Sequence, residues 1–205
     1  MAKPTHSTNV RLAGRLGEFT GQELQDIAQA VREHGVSSVF LTTGQRIMLT
    51  HLSEVQAEAL REQLAPLVVT RHDMAHGCVG APNCKFGQAE TQPMALALQE
   101  LAKEFKDADK LRSKIKIGVS GCPHCCAESR VRDIGLIAKG SGWTVCFGGN
   151  AGAKPRIADE VASGLSHDEA LSMVRELLED YCEHAKPKER TARFVERVAR
   201  EIPDV

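Results

Sequence analysis

Apolar positions recur at helical spacing twice within the first seventy residues. Leu24, Ile27, Ala28 and Val31 follow Thr20-Gly21-Gln22-Glu23, a capping-box pattern, and Gly35 stands where such a helix would stop. Val55, Ala59, Leu60 and Leu64 repeat the stripe behind Ser53 and Gln56, and Pro66 ends it. Between the two helices, Val36 to Thr42 and Arg46 to Thr50 are β-branched or apolar runs around Thr43-Gly44, which predicts two strands joined by a turn. Short strands near Val10 to Leu12 and at Leu67 to Thr70 complete the order β-α-β-β-α-β.

That order is ferredoxin-like. Beyond it the pattern predicts a helix from Thr91 to Phe105 and a strand at Lys114 to Val119. Neighbouring strands are expected at Ile134 to Ala138 and Trp143 to Phe147, with Gly140-Ser141-Gly142 as their turn. Three helices should close the chain, near Arg156 to Ser163, His167 to His184 and Lys188 to Arg200, the last mostly charged and suited to covering an edge or docking on a partner. The fold class expected is α+β: a ferredoxin-like lobe over residues 1–70, packed on a mixed α/β lobe over residues 71–186, with a C-terminal helix over residues 187–205.

Composition narrows the function classes. The chain has 205 residues, 42% of them hydrophobic, enough for one good core or two small lobes that share one. A net charge of −1 gives no reason to expect nucleic acid, and 4% aromatic residues leave few platforms for stacking bases. No apolar run is long enough to span a bilayer, so neither nucleic acid nor membrane is expected as a partner. Seven cysteines, an odd number with no secretory signal ahead of them, argue against a disulfide framework and for a reducing, cytoplasmic setting.

Four of those cysteines form two short clusters, Cys78-x5-Cys84 and Cys122-x3-Cys126, set among Gly77, Gly80, Pro82, Gly121 and Pro123. Tight turns of this kind let thiolates converge from several directions, as a 4Fe–4S cluster requires. A tetrahedral zinc site is the rival, although its ligands more often arrive as C-x2-C knuckles, and unrelated buried thiols are the third reading. Cys146 in an apolar strand and Cys182 on a helix read as small buried hydrophobes. His72, His76 and His124 lie around the loops, where a proton relay and simple solvation are both open.

The second cluster reads Val119-Ser120-Gly121-Cys122-Pro123-His124-Cys125-Cys126, followed by Asp133-Ile134-Gly135 and Gly148-Gly149-Asn150. With C-x5-C before it, this resembles the sirohaem and iron–sulfur half of the nitrite and sulfite reductase family, its small assimilatory-type members in particular, over about residues 10 to 175. The resemblance implies a 4Fe–4S cluster on Cys78, Cys84, Cys122 and Cys126, with Cys126 also bridging to the iron of a sirohaem and Cys125 a bystander. It implies an oxidoreductase that reduces sulfite to sulfide. Nitrite reduction, and a non-catalytic electron-transfer subunit, are the alternatives.

Sirohaem is fringed with carboxylates and calls for cations and N–H groups. The resemblance points to Asn150, Lys154 and Arg156 after the glycine-rich segment, and to Arg11, Gln45 and Arg46 in the first lobe. Thr43-Gly44-Gln45-Arg46-Ile47 is closer to the NADH-dependent nitrite reductases than to many sulfite reductases, which carry Arg where this chain has Gly44. Lys114 and Lys116 alternate with Ile115 and Ile117, so both ammonium groups share one strand face, and the pair resembles the family's substrate lysines. With Arg46 they are the candidates for holding the small inorganic anion. No G-x-G-x-x-G fingerprint follows a strand, so electrons are expected from a separate carrier such as a ferredoxin. Full-length family members contain two related halves; here either the compact unit suffices or two copies associate as a homodimer.

Overall fold

The computed structural model describes residues 8–69 and 75–201. They fall into two units, Met1–Asp73 and Met74–Val205.

In the first unit, β1 (Thr8–Leu12), α1 (Gly21–Glu33), β2 (Ser38–Leu41), β3 (Ile47–Leu52) and α2 (Glu54–Gln63) follow in turn. The strands run antiparallel in the order β1-β3-β2. Both helices start in complete capping boxes, Thr20 with Glu23 and Ser53 with Gln56, so the first-turn N–H groups are satisfied locally. Val10, Leu12, Ile47, Leu49 and Leu52 from the sheet meet Ile27, Ala30, Ala57 and Leu60 from the helices in one buried cluster. A bulge makes this possible: the register moves from Val10 opposite Leu49 to Thr8 opposite Leu52, with His51 at φ 60°, so both leucines turn inward. The strand expected at Leu67 to Thr70 is shorter than predicted. Pro66 lies in a 3-10 turn over Ala65–Leu67, and pairing starts only at Val68, which bridges to Leu12. Thr70 lies outside the described residues. The ferredoxin-like order stands with this abbreviated last strand.

The second unit is built on a mixed sheet ordered β4-β5-β6-β7-β8. Its strands are β4 (Ala75–Gly77), β5 (Ile117–Ser120), β6 (Ile134–Lys139), β7 (Gly142–Phe147) and β8 (Asp159–Leu165). The first three are parallel and the last two antiparallel. Helix α3 (Gln92–Asp107) lies over β4 and β5, α4 (His167–His184) over β7 and β8, and α5 (Thr191–Glu201) closes the unit. Met94, Leu98 and Leu101 of α3 and Val174, Leu178 and Tyr181 of α4 are buried, as their helical spacing requires. Tyr181 stacks edge-on between Phe147 and Phe194, tying α4 to β7 and α5.

Three sequence-based expectations change here. Arg156 to Ser163, predicted as a helix, is instead the approach to β8 and most of that strand. The segment has helix-forming residues but no buried stripe; Ile157 and Val161 are exposed, and pairing with β7 claims its backbone. The strand expected from Lys114 starts at Ile117, because the Lys116 N–H donates to the Asp133 carboxylate at 2.9 Å rather than to a neighbouring strand. The last helix begins at Thr191 rather than Lys188, since Lys188 sits at φ 63° in the left-handed region. No helix among the described residues is long and apolar enough to cross a membrane.

Candidate functional site

The two cysteine loops leave the C-terminal ends of neighbouring parallel strands, β4 and β5. Parallel pairing continues into the first loop, where the Cys78 N–H donates to the Val119 carbonyl at 3.0 Å. That loop then closes on itself through Cys84 N–H to Gly80 O at 2.8 Å and Ala81 N–H to Ala89 O at 3.0 Å. It is joined to the second loop by Gln88 N–H to Gly121 O at 2.7 Å. The loops touch so closely that a Cβ on Gly121 would come within 2.9 Å of the Gly80 Cα, and Gly80 itself sits at φ 63°. Only glycine meets both demands. The Thr91 hydroxyl, buried just ahead of α3, donates to the Cys78 carbonyl.

The Gly121 N–H donates to Cys78 Sγ at 3.1 Å. An amide directed at a ligating sulfur tunes the metal centre that the sulfur holds. Cys78 and Cys84 are half-buried, Cys122 is buried and Cys126 is exposed. Their neighbour Cys125, at φ 59°, turns the other way. It packs against Ile137, Cys146 and Ala158, and its sulfur accepts the Arg130 N–H at 3.4 Å.

After Cys126 the chain does not run outward but folds back over the sheet. The Ser129 hydroxyl donates to the Gly118 carbonyl at 2.9 Å and pairs with the Ser120 hydroxyl at 2.8 Å, which in turn accepts the Ala127 N–H at 3.2 Å. Gly118 and Gly135, side by side in the register, make room for it. A Cβ on Gly118 would meet the Ala127 carbonyl at 2.6 Å, and one on Gly135 the Ser129 carbonyl at 1.9 Å. The sheet face that receives this loop is therefore the face of Gly118 and Ser120.

Lys114 and Lys116 belong to that same face by alternation, since both are exposed while Ile115 and Ile117 are fully buried on the other. Lys116 is two residues from Gly118, over which the residue after Cys126 lies. Its backbone is fixed by Asp133, a buried carboxylate that also accepts from the Thr191 hydroxyl at 2.6 Å and from Arg190 Nη2 at 2.5 Å. Sequence reasoning singled out Asp133-Ile134-Gly135 without seeing this anchor; Arg190 and Thr191, more than fifty residues on, gave no sign of it.

The other predicted residues fall in two places. Asn150 and Arg156 pair through their backbones and close a hairpin; the Asn150 amide donates to the Lys154 carbonyl at 2.6 Å, and Arg156 holds Gly148 O, Ile157 O and both oxygens of Asp159. In this structure these two side chains build the hairpin that presents the exposed Lys154. Arg11, Gln45 and Arg46 belong to the first unit. Arg11 lies opposite Met48, so the pleat puts Arg11, Met48 and Arg46 on the sheet face away from α1 and α2, and Gln45 occupies the β2–β3 turn at φ 57°. His76 and His124 are at the loops, and His72 lies outside the described residues.

Among the described residues no three His, Cys, Asp or Glu side chains stand close enough to share one metal ion. A cube asks something different, because each thiolate binds its own iron. Four thiols on two interlocked glycine loops, with an amide directed at one sulfur, are the donor set a 4Fe–4S cluster takes.

Cysteine loops of this make-up in an α+β fold fit the iron–sulfur class of proteins, and comparison with known proteins shows the family. Residues 71–201 match the nitrite and sulphite reductase 4Fe-4S domain, and residues 2–67 match the nitrite/sulfite reductase ferredoxin-like half domain. The chain belongs to the nitrite and sulfite reductase family. It is 34% identical over 185 residues to the assimilatory-type sulfite reductase of Nitratidesulfovibrio vulgaris, covering 88% of this chain and 83% of that one. It is 31% identical to the NAD(P)H nitrite reductase of Bacillus subtilis, covering 95% of this chain but spanning only 24% of that enzyme. Its fold is like that of the NirA protein of Mycobacterium tuberculosis, with a TM-score of 0.78 at 24% identity, over 92% of this chain and 38% of that one.

Proposed function

We propose that the protein is a sirohaem-dependent sulfite reductase that takes electrons one at a time from an external carrier and reduces sulfite to sulfide, HSO3− + 6e− + 6H+ giving HS− + 3H2O. The observation that carries this reading is the interlocked pair of cysteine loops, in a chain that covers most of an assimilatory-type sulfite reductase. Cys78, Cys84, Cys122 and Cys126 would hold a 4Fe–4S cluster, and the exposure of Cys126 would leave its sulfur open to a second cofactor. Sirohaem, when bound, supplies the iron at which the anion is reduced. In the second unit Lys154 would offer its ammonium to the sirohaem carboxylates, on the hairpin that Asn150 and Arg156 shape; Arg11, Gln45 and Arg46 of the first unit are the further groups suited to them. Lys114 and Lys116 supply positive charge on the cysteine-loop face, where they attract the anion and can donate protons as oxygen leaves.

Nitrite is the second reading, favoured by the Gly44-Gln45-Arg46 turn and the likeness to the Bacillus subtilis nitrite reductase. Protein purified without air should show tetrapyrrole absorption bands, acid-labile sulfide and about five irons per chain. With reduced methyl viologen it should turn over sulfite with a higher kcat/KM than nitrite. Zinc in place of iron and sulfide would end the reading, and a nitrite preference would replace the substrate.

A further inference from the structure

The cluster must receive electrons, and the two loops that hold it carry a surface of their own. Val79, next to Cys78, and Phe86, two residues after Cys84, are large apolar side chains exposed at 66% and 51%. Neither fills the core. Phe86 is held against the His124 ring of the second loop with centroids 4.7 Å apart, and the Lys85 ammonium sits 4.8 Å over its face. The aromatic ring is thus fixed before any partner arrives, which lowers the entropy lost on docking. Residues 78–89 and 121–127 together contain one formally charged side chain, Lys85.

We propose that Val79, Lys85, Phe86 and His124 form the docking platform for a small acidic electron-carrier protein of the ferredoxin class. The proposal rests on the reductase reading of the same site and names its partner surface. Electron tunnelling falls steeply with distance, so the donor has to seat its own redox centre against the loops that bear the thiolates. The platform has the make-up of a transient interface, an apolar and aromatic centre with one cation at its side. Lys85 selects a carboxylate-rich partner and speeds its approach.

The test uses the purified holoprotein and its Phe86→Ala and Lys85→Glu variants, assayed for sulfite turnover with reduced methyl viologen and, separately, with a reduced acidic 2Fe–2S ferredoxin. A small dye needs no platform. Viologen turnover and cofactor content should stay within about twofold of the parent, whereas the KM for ferredoxin rises roughly tenfold for each variant, the loss of one interface anchor. Lys85→Glu should also flatten the salt dependence of the ferredoxin reaction. Unchanged ferredoxin kinetics would overturn the proposal, as would a parallel fall in both assays, which would make Phe86 part of the cofactor pocket. A parent protein that carries no cluster, or fails with viologen, would instead sink the reductase reading.

Discussion

The two faces of the second sheet are closed by different means. On one, Ile117, Val119, Ile134 and Leu136 are fully buried, and the strands beneath them are roofed by α3 and α4 with ordinary side-chain packing. On the other, Gly118 and Gly135 bring the return of the second cysteine loop down onto the strands, where it is held by Ser120, Ser129 and backbone hydrogen bonds. Apolar packing tolerates compensation, because neighbouring side chains shift to fill a gap. Backbone laid on backbone has less slack, so the loop that carries Cys122 and Cys126 can lie where it does because Gly118 and Gly135 lack a Cβ.

A paired substitution breaks this contrast most sharply. Leu98→Ala, in the buried face of α3, should cost about 2–5 kcal/mol in chemical denaturation while leaving the iron and sulfide content of the folded protein intact. Gly135→Ala should cost about 1–3 kcal/mol, or more where the loop cannot move aside, and should also strip the cluster, because its Cβ would overlap the Ser129 carbonyl. If Gly135→Ala kept a full cluster, or Leu98→Ala lost one, the two faces would not be doing separate jobs.

How much of this could be read beforehand depends on the range of the interaction. The capping boxes at Thr20 and Ser53, the turn at Gly140-Ser141-Gly142 and α4 over residues 167–184 are local, and they were legible because each depends on neighbours within four residues. The same holds for the cysteine spacing, where the glycines needed by the loops stand beside the thiols. What escaped was non-local. Gly118 and Gly135 were expected only as positions within strands, with no sign that the segment of Ser129 would lie over them, and β8 looked helical until β7 offered it an edge. Asp133 gave no hint that it would reach Arg190 and Thr191. Arg156 was legible as a cation near the glycine-rich segment, but its engagement with Asp159 and two carbonyls follows from the hairpin, not from its charge.

A smaller effect sharpens the contrast from the cysteine-loop side. Lys116 is exposed at the foot of the Gly118 face, with its backbone held by Asp133, so Lys116→Met removes a charge without touching the packing. Stability should stay within about 0.5 kcal/mol of the parent, and the iron, sulfide and tetrapyrrole content should equal the parent's. The kcat/KM for sulfite should fall about a hundredfold, the lower end for a group that handles protons in the reaction. Unchanged kinetics in both Lys114→Met and Lys116→Met would return the pair to the plain exposed face of a strand.

The smallest effect concerns Cys146, which lies under the cysteine loop yet takes no part in it. It is fully buried with Ile137 and Ala158, and burial, reinforced by the nearby Glu160 carboxylate, pushes its thiol up to about 11. The folded protein therefore holds the proton more tightly than the unfolded chain, whose cysteines ionise near pH ~8.5. The stability that comes from keeping this thiol neutral is complete below that pH and is lost as pH rises toward 11, because the unfolded state gives up its proton first. Cys146→Ala removes the titration. Denaturation midpoints measured from pH 7 to 11 should decline in the parent and decline less in the variant, with a difference of about 1–2 kcal/mol at the alkaline end. Parallel curves would mean that Cys146 ionises as freely in the folded protein as in the unfolded one, and that the floor beneath the cysteine loop is wetter than its side chains imply.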